Sequence, residues 1–285
     1  MSGNKLIREI ESKTISQAVK KLFVEANTNL GEDLICALQD AVGREESPLG
    51  RQVLEKILKN AEIARQEKMP ICQDTGIAVI FIEIGQDAHI TGGNLKDAVN
   101  EGVRQAYQEG FLRKSVCDPL TRKNTQDNTP AIIHTDIVAG NRIKIIAMPK
   151  GGGSENMSAA KMLTPAAGSD GIKKFVLETV EKAGPNPCPP VMIGVGIGGS
   201  LEEACLLAKK ALLRPVGESS EDERLAQMEK ELYESINKLG IGPGGLGGRI
   251  TTLSVSTEMM PCHIASLPVA VNIQCHVARH KEIII

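Results

Sequence analysis

The sequence predicts a mixed α/β fold: a helical N-terminal portion, about residues 1–68, packed on a mixed sheet with glycine-rich loops. Apolar residues recur at helical spacing through the first sixty-odd positions. From Ile77 onward, short β-branched runs alternate with amphipathic stretches. No internal repeat or long low-complexity linker interrupts the chain, so a single domain over residues 1–285 is expected.

The elements follow in order. Ile7, Ile10, Ile15, Val19, Leu22 and Phe23 approximate one helical stripe, and Ile35–Val42 and Val53–Ala64 repeat it. Ser47-Pro48 marks a helix entry. Ile77–Ile84, reading IAVIFIEI, is a buried strand, and Asn94–Tyr107 a helix. Ala131–Val138 and Arg142–Met148 flank Ala139-Gly140-Asn141 and predict a hairpin. A helical stretch is expected after the loop Lys150–Ser154, then a helix over Ile172–Lys182. Val191–Val195 is a short strand entering the loop Gly194–Ser200. Helices over Leu201–Leu213 and Glu221–Leu239 and β segments over Ile250–Ser256 and Val269–Ile273 complete the pattern.

Composition narrows the function classes. Hydrophobic residues are 41% of the 285, enough for a real core. Aromatics are 2%, with no Trp, two Tyr and four Phe, so stacking surfaces for single-stranded nucleic acid are nearly absent. The net charge of −2 provides no basic field for nucleic acid or an acidic membrane. No apolar run approaches the length of a membrane span. The stretch from Met1 to Glu11 lacks the apolar core of a signal peptide, and a cytoplasmic protein is the expectation. Seven cysteines, an odd number in a chain of this size, argue against a disulfide framework.

Several segments carry chemistry. Pro70-Ile71-Cys72-Gln73-Asp74-Thr75-Gly76 sets a thiol, an amide, a carboxylate and a hydroxyl side by side before a strand. It also reads as a plain turn, with Asp74 and Thr75 bonding local backbone. Cys188, in Gly184-Pro185-Asn186-Pro187-Cys188-Pro189-Pro190, sits in a loop that prolines stiffen. Gly194-Val195-Gly196-Ile197-Gly198-Gly199-Ser200 contains the spacing of a dinucleotide fingerprint, but no convincing acidic ribose partner stands at the expected offset. In Lys150-Gly151-Gly152-Gly153-Ser154-Glu155-Asn156, glycines let backbone N–H groups approach a carboxylate. Cys262-His263 and Gln274-Cys275-His276-Val277-Ala278-Arg279-His280 invite a zinc reading, although the paired Cys-x-x-Cys spacing is absent. Three separated cysteines in distinctive loops suit an iron–sulfur cluster better.

Together, the segments around Cys72, Lys150–Asn156, Cys188–Ser200 and Gln274–His280 resemble class I fumarate hydratase, in the alpha subunit of its two-subunit form. L-tartrate dehydratase alpha subunits look similar, and the resemblance covers nearly the whole chain. It implies a 4Fe–4S cluster bound by Cys72, Cys188 and Cys275, with one iron open as a Lewis acid, and reversible hydration of fumarate to (S)-malate. It implies substrate contacts from Gln73, Asp74, Arg113 and Gly152, and catalytic roles for Asp74 and His263. It also implies a beta subunit that completes the site, in a hetero-oligomer such as α2β2. Cys36 and Cys205 fall in helical patterns and are expected to pack. Two rivals are a tartrate dehydratase alpha subunit and a non-catalytic zinc-binding subunit.

Overall fold

The computed structural model describes residues 7–285. In chain order its helices and strands are β1 (Arg8–Glu11), α1 (Ser12–Thr28), α2 (Glu32–Arg44), α3 (Pro48–Glu67), β2 (Ile77–Gly85), β3 (Ala88–Thr91), α4 (Leu95–Glu109), β4 (Ile132–Val138) and β5 (Ile143–Lys150). Then come α5 (Gly152–Glu155), β6 (Ala159–Leu163), α6 (Gly168–Ala183), β7 (Val191–Gly198), α7 (Leu201–Ala211), α8 (Glu223–Asn237), β8 (Thr252–Met260), β9 (Leu267–Gln274) and β10 (Lys281–Ile284). The mixed α/β class expected from the sequence is what the chain adopts. None of the described helices is long and apolar enough to cross a membrane.

The chain forms two compact units, one of residues up to 30, 61–151 and 279–285, the other of residues 31–60 and 152–278. Three helices occupy the N-terminal portion, with Pro48 opening α3 as the sequence indicates, but Ile7 and Ile10 of the expected first stripe precede α1, Ile10 lying in the strand β1. The three helices are shared between the two units.

In the first unit a four-stranded sheet runs β10-β5-β2-β4. Ile15, Val19, Leu22 and Phe23 of α1 pack with Val99, Val103, Ala106 and Tyr107 of α4 and with Ile80, Ile82, Ile143 and Ile145 of the sheet. That burial is the driving term for the unit. The Asn94 side chain caps α4 by accepting the N–H groups of Lys96 and Asp97. The expected hairpin of residues 131–148 does not form. β2 lies between β4 and β5, parallel to the first and antiparallel to the second. The short connection instead wraps the end of β2, where Gly85 N–H donates to Arg142, Gln86 N–H to Val138 and Asp87 N–H to Gly140. The C-terminal Lys281–Ile284 adds an antiparallel strand to β5.

The second unit is a sheet, β6-β9-β7-β8, with helices on both faces. Ile193, Val195 and Ile197 of β7 face the side covered by Ile172, Val176 and Val180 of α6 and Leu225, Leu232 and Ile236 of α8. Gly194 and Gly196 face α7. A Cβ on either would stand 2.0 Å from a main-chain oxygen of α7, that of Ala208 or of Ala204. These glycines therefore lie inside a fully buried strand and let a helix pack against it. The strand extends through Gly198, beyond the expected end at Val195. The helical stretch expected after Ser154 does not form; a single turn, α5, overlaps the expected loop, and the strand β6 follows.

Candidate functional site

The loop between α3 and β2 belongs to the first unit and carries Cys72, Gln73 and Asp74. Ile71 N–H donates to the Asn27 carbonyl at 2.9 Å. Asp74 N–H donates to Cys72 Sγ at 3.4 Å, and Gly76 N–H to Asp74 Oδ1 at 3.0 Å. The local-turn reading is thus realised for Asp74, together with a shaped thiol, but not for Thr75, whose hydroxyl reaches the distant Arg113 carbonyl. Gly76 has φ +76°, and a Cβ there would lie 2.7 Å from the Lys150 backbone, so this approach is open to glycine alone.

Four side chains hold this loop from behind. The buried Tyr107 hydroxyl contacts the carbonyls of Thr75 at 2.8 Å and Gly76 at 2.9 Å. Asn128 Nδ2 donates to Gly76 O at 3.2 Å while its Oδ1 accepts the N–H groups of Ser115 and Val116. Thr75 Oγ1 donates to the Arg113 carbonyl at 2.9 Å, which sets the Phe111–Lys114 segment beside the loop with the Arg113 side chain exposed. Arg279, only 3% exposed, donates through Nη2 to the Asp74 carbonyl. Burial pushes the Tyr107 phenol far above its ordinary value, with Asp74 adding to the rise and Arg279 opposing it, so it remains a neutral donor. Gly151 borders the same place, because a Cβ on it would stand 3.1 Å from Asp74 Oδ2.

In the second unit the segments bearing Cys188 and Cys275 meet. His276 donates its backbone N–H to the Cys188 carbonyl at 3.4 Å, and its Nδ1 lies 2.9 Å from the same oxygen. Cys188 is exposed, with φ +57°, a conformation unusual for a residue with a side chain. Its loop rests on the glycine-rich turn of residues 242–248, where Gly244 N–H donates to the Pro189 carbonyl at 2.8 Å. Cys275 directly follows β9, whose last residue Gln274 pairs with Met192 of β7.

His263 stands elsewhere. It follows β8, whose Met260 pairs with Gly198 at the far end of β7. Seven residue steps of β7, about 23 Å, separate that end from the one beside Cys188. His263 is exposed, and its Nδ1 accepts the Ala265 N–H at 3.1 Å. With Cys262, Ile172, Ile197 and Met228 it lines an apolar groove of about 460 Å³. Cys36 and Cys205, expected to pack, are exposed on α2 and α7. Among the described residues, no three His, Cys, Asp or Glu side chains gather into a group that could hold a single metal ion.

The sequence singled out residues of these loops but not the side chains that support them. Tyr107 read only as a helical position, and its signal was that it is one of two tyrosines in the chain. Arg279 and His276 stood inside the Gln274–His280 motif without a role.

A catalytic class follows from comparison with known proteins. A family model described as fumarate hydratase (fumerase) matches residues 16–284. A putative L(+)-tartrate dehydratase subunit alpha from Methanocaldococcus jannaschii is 48% identical over 267 residues, covering 92% of this chain and 94% of that protein. The L(+)-tartrate dehydratase subunit alpha of Escherichia coli strain K12 is 30% identical over 275 residues, covering 95% and 90%. That of strain UTI89 is 31% identical over 265 residues, covering 92% and 87%. The class is hydro-lyase. The chain belongs to the fumarate hydratase (fumerase) family, as its motifs indicated.

Proposed function

We propose that this chain is the alpha subunit of a cytoplasmic iron–sulfur hydro-lyase that interconverts fumarate and (S)-malate together with a beta subunit. Cys72, Cys188 and Cys275 are the proposed ligands of a 4Fe–4S cluster. The observation that carries this reading is the meeting of the Cys188 and Cys275 segments through His276. The donor set fits such a group. None of the three thiols is in a disulfide, and Cys72 Sγ already accepts a backbone N–H, as a cluster thiolate would. A cluster also spaces its ligands by its own width, unlike a single ion.

When bound, the cluster supplies a Lewis-acidic iron for the hydroxyl at C2. The chain's own residues do the rest of their share. Arg113, exposed beside the loop, pairs with the substrate carboxylate on which negative charge builds as the C3 proton leaves. Asp74 exchanges a proton with the C2 oxygen. Its orientation is fixed by the Gly76 N–H and by Arg279 on its carbonyl. The exposed Gln73 amide and the Gly152 backbone orient the substrate. The C3 base is assigned to the beta subunit. His263, at the opposite end of β7 from Cys188, serves a site to which a second copy of this chain contributes the cysteines.

A second reading, dehydration of L-tartrate to oxaloacetate, is favoured by the names of the relatives. The test is to co-express the chain with its beta subunit, reconstitute it without oxygen and assay malate, fumarate and tartrate. Iron, sulfide and a broad brown absorption are expected, with malate turned over faster than tartrate. Faster tartrate turnover overturns the substrate. A colourless zinc protein without turnover overturns the whole reading.

A further inference from the structure

Glycine has no intrinsic preference for one backbone conformation, so a glycine turn that must meet a substrate has to be held by its neighbours. In the second unit that holding is visible. Ser154 Oγ hydrogen-bonds Gln274 Oε1 at 3.4 Å. Glu155 Oε2 accepts from Asn272 Nδ2 at 3.1 Å, and Glu155 Oε1 accepts from Lys209 Nζ of α7 at 2.7 Å. Ser158 Oγ accepts the Ile273 N–H at 3.2 Å. Three consecutive residues of β9 thus each grip the turn. Inside it, Asn156 N–H donates to Gly152 O at 2.9 Å and Ser158 N–H to Glu155 O at 3.0 Å. The next residue of β9 is Cys275.

We propose that Glu155 is a positioning residue that sets the glycine turn of residues 152–153 on β9, so that this turn and Cys275 share one rigid reference. The inference rests on the proposed function in taking this turn as a substrate contact. Glu155 is suited to the task because it joins two elements at once. The ion pair with Lys209 is well shielded, with the lysine side chain 15% exposed and the glutamate 35%. β9 lies inside the sheet between β6 and β7, so it is a stiff support.

The hydrogen-bond pattern distinguishes this role from a mere need for negative charge. Asn272 Oδ1 is buried and has no partner. In Glu155→Gln the new amide N–H group can be accepted by Asn272 Oδ1 after the Asn side chain turns over, while the Gln oxygen keeps Lys209. Glu155→Ala loses both links.

The test uses the anaerobically reconstituted enzyme with its beta subunit. Glu155→Ala should raise KM for the dicarboxylate about tenfold, the scale of one lost charge-assisted hydrogen bond, with kcat changed far less. Iron per chain should match the wild type, and Glu155→Gln should restore KM to within about threefold. A KM for Glu155→Ala within about twofold of wild type overturns the proposal. Should Glu155→Ala not fold, Lys209→Met removes only the α7 half, and an unchanged KM there overturns it equally. Hydrogen exchange on the chain alone gives a readout without turnover. The amides of Asn156 and Ser158 should exchange at least about tenfold faster in the Ala or Met variant. Unchanged protection overturns the fastening, whereas a wild-type enzyme that turns over no dicarboxylate overturns the proposed function instead.

Discussion

The hydroxyl of Tyr107 lies 2.9 Å from the carbonyl oxygen of Gly76, at a position only 1% exposed to solvent. It is also 2.8 Å from the Thr75 carbonyl, so one α4 side chain fixes the peptide that leads from Asp74 into β2. Tyr107→Phe keeps the ring packed against Phe23 and removes only the donor. The Thr75 carbonyl then loses this buried donor, and unfolding free energy should fall by about 1–3 kcal/mol. Urea titration of the two proteins checks this, and equal midpoints would refute it.

The same phenol sets an alkaline limit. Burial raises its folded pKa far above the ordinary 10.0. In the unfolded chain it ionises near 10, and in the folded chain it holds its proton well above that. The stability it contributes is therefore complete below pH 10 and declines as pH rises above that value. Tyr107→Phe should flatten this part of the stability–pH curve between pH 9 and 11, measured by denaturant melts. A curve with the wild-type slope would contradict the assignment.

Gly76 is the tightest point of the loop. Its φ of +76° disfavours any side chain, and the Lys150 backbone leaves a Cβ no room. Gly76→Ala should cost about 3 kcal/mol or more, with loss of cluster incorporation after reconstitution. An alanine variant with wild-type stability and full iron content would show that the loop can yield.

Glu45 is the acid-sensitive counterpart in the second unit. Its carboxylate accepts the N–H groups of Arg249, Ile250 and Ser47. Burial alone would raise its pKa, but the backbone N–H groups of Arg249, Ser47, Ile250 and Glu46 outweigh it and hold the group below its ordinary 4.5. Its contribution is then present above pH 4.5 and lost as pH falls below that value. Glu45→Gln should be less stable at pH 7 by about 1–3 kcal/mol and should lose less stability on acidification. Parallel acid denaturation curves for the two proteins would exclude this role.

Much of this architecture was legible in the sequence because burial writes a period. The stripes of α1 and the β-branched run of β2 name their elements and their buried faces. What was not legible depended on partners distant in sequence. The segments of β4 and β5 are separated by a hairpin-length gap, yet β2 enters between them, and nothing local announces that. The glycines of β7 imitate a phosphate loop because a helix packed on a strand and a backbone close to a ligand exclude a Cβ for the same reason. Loop context narrowed the cysteines and the family resemblance chose Cys72, Cys188 and Cys275, whereas Tyr107, Asn128 and Arg279 support the Cys72 loop through long-range bonds to main-chain oxygens, which leave no motif.

The register of β7 with β8 and β9 puts His263 at the end of the sheet away from Cys188 and Cys275. No local rearrangement of the Pro261–Ser266 turn spans about 23 Å, the length of seven strand residues. A catalytic His263 must then act beside the cysteines of another copy. His263→Asn and Cys188→Ser alpha chains, each inactive with the beta subunit, should complement when mixed before assembly. In a two-fold dimer of alpha chains half the assemblies are mixed, and each holds one intact site, so activity should reach about a quarter of wild type. The control is the same pair assembled separately and mixed afterwards, which should remain inactive while subunits do not exchange. Complementation absent in co-assembled chains, with both variants retaining wild-type oligomeric size, would remove His263 from the chemistry and leave it a residue of the apolar groove it lines.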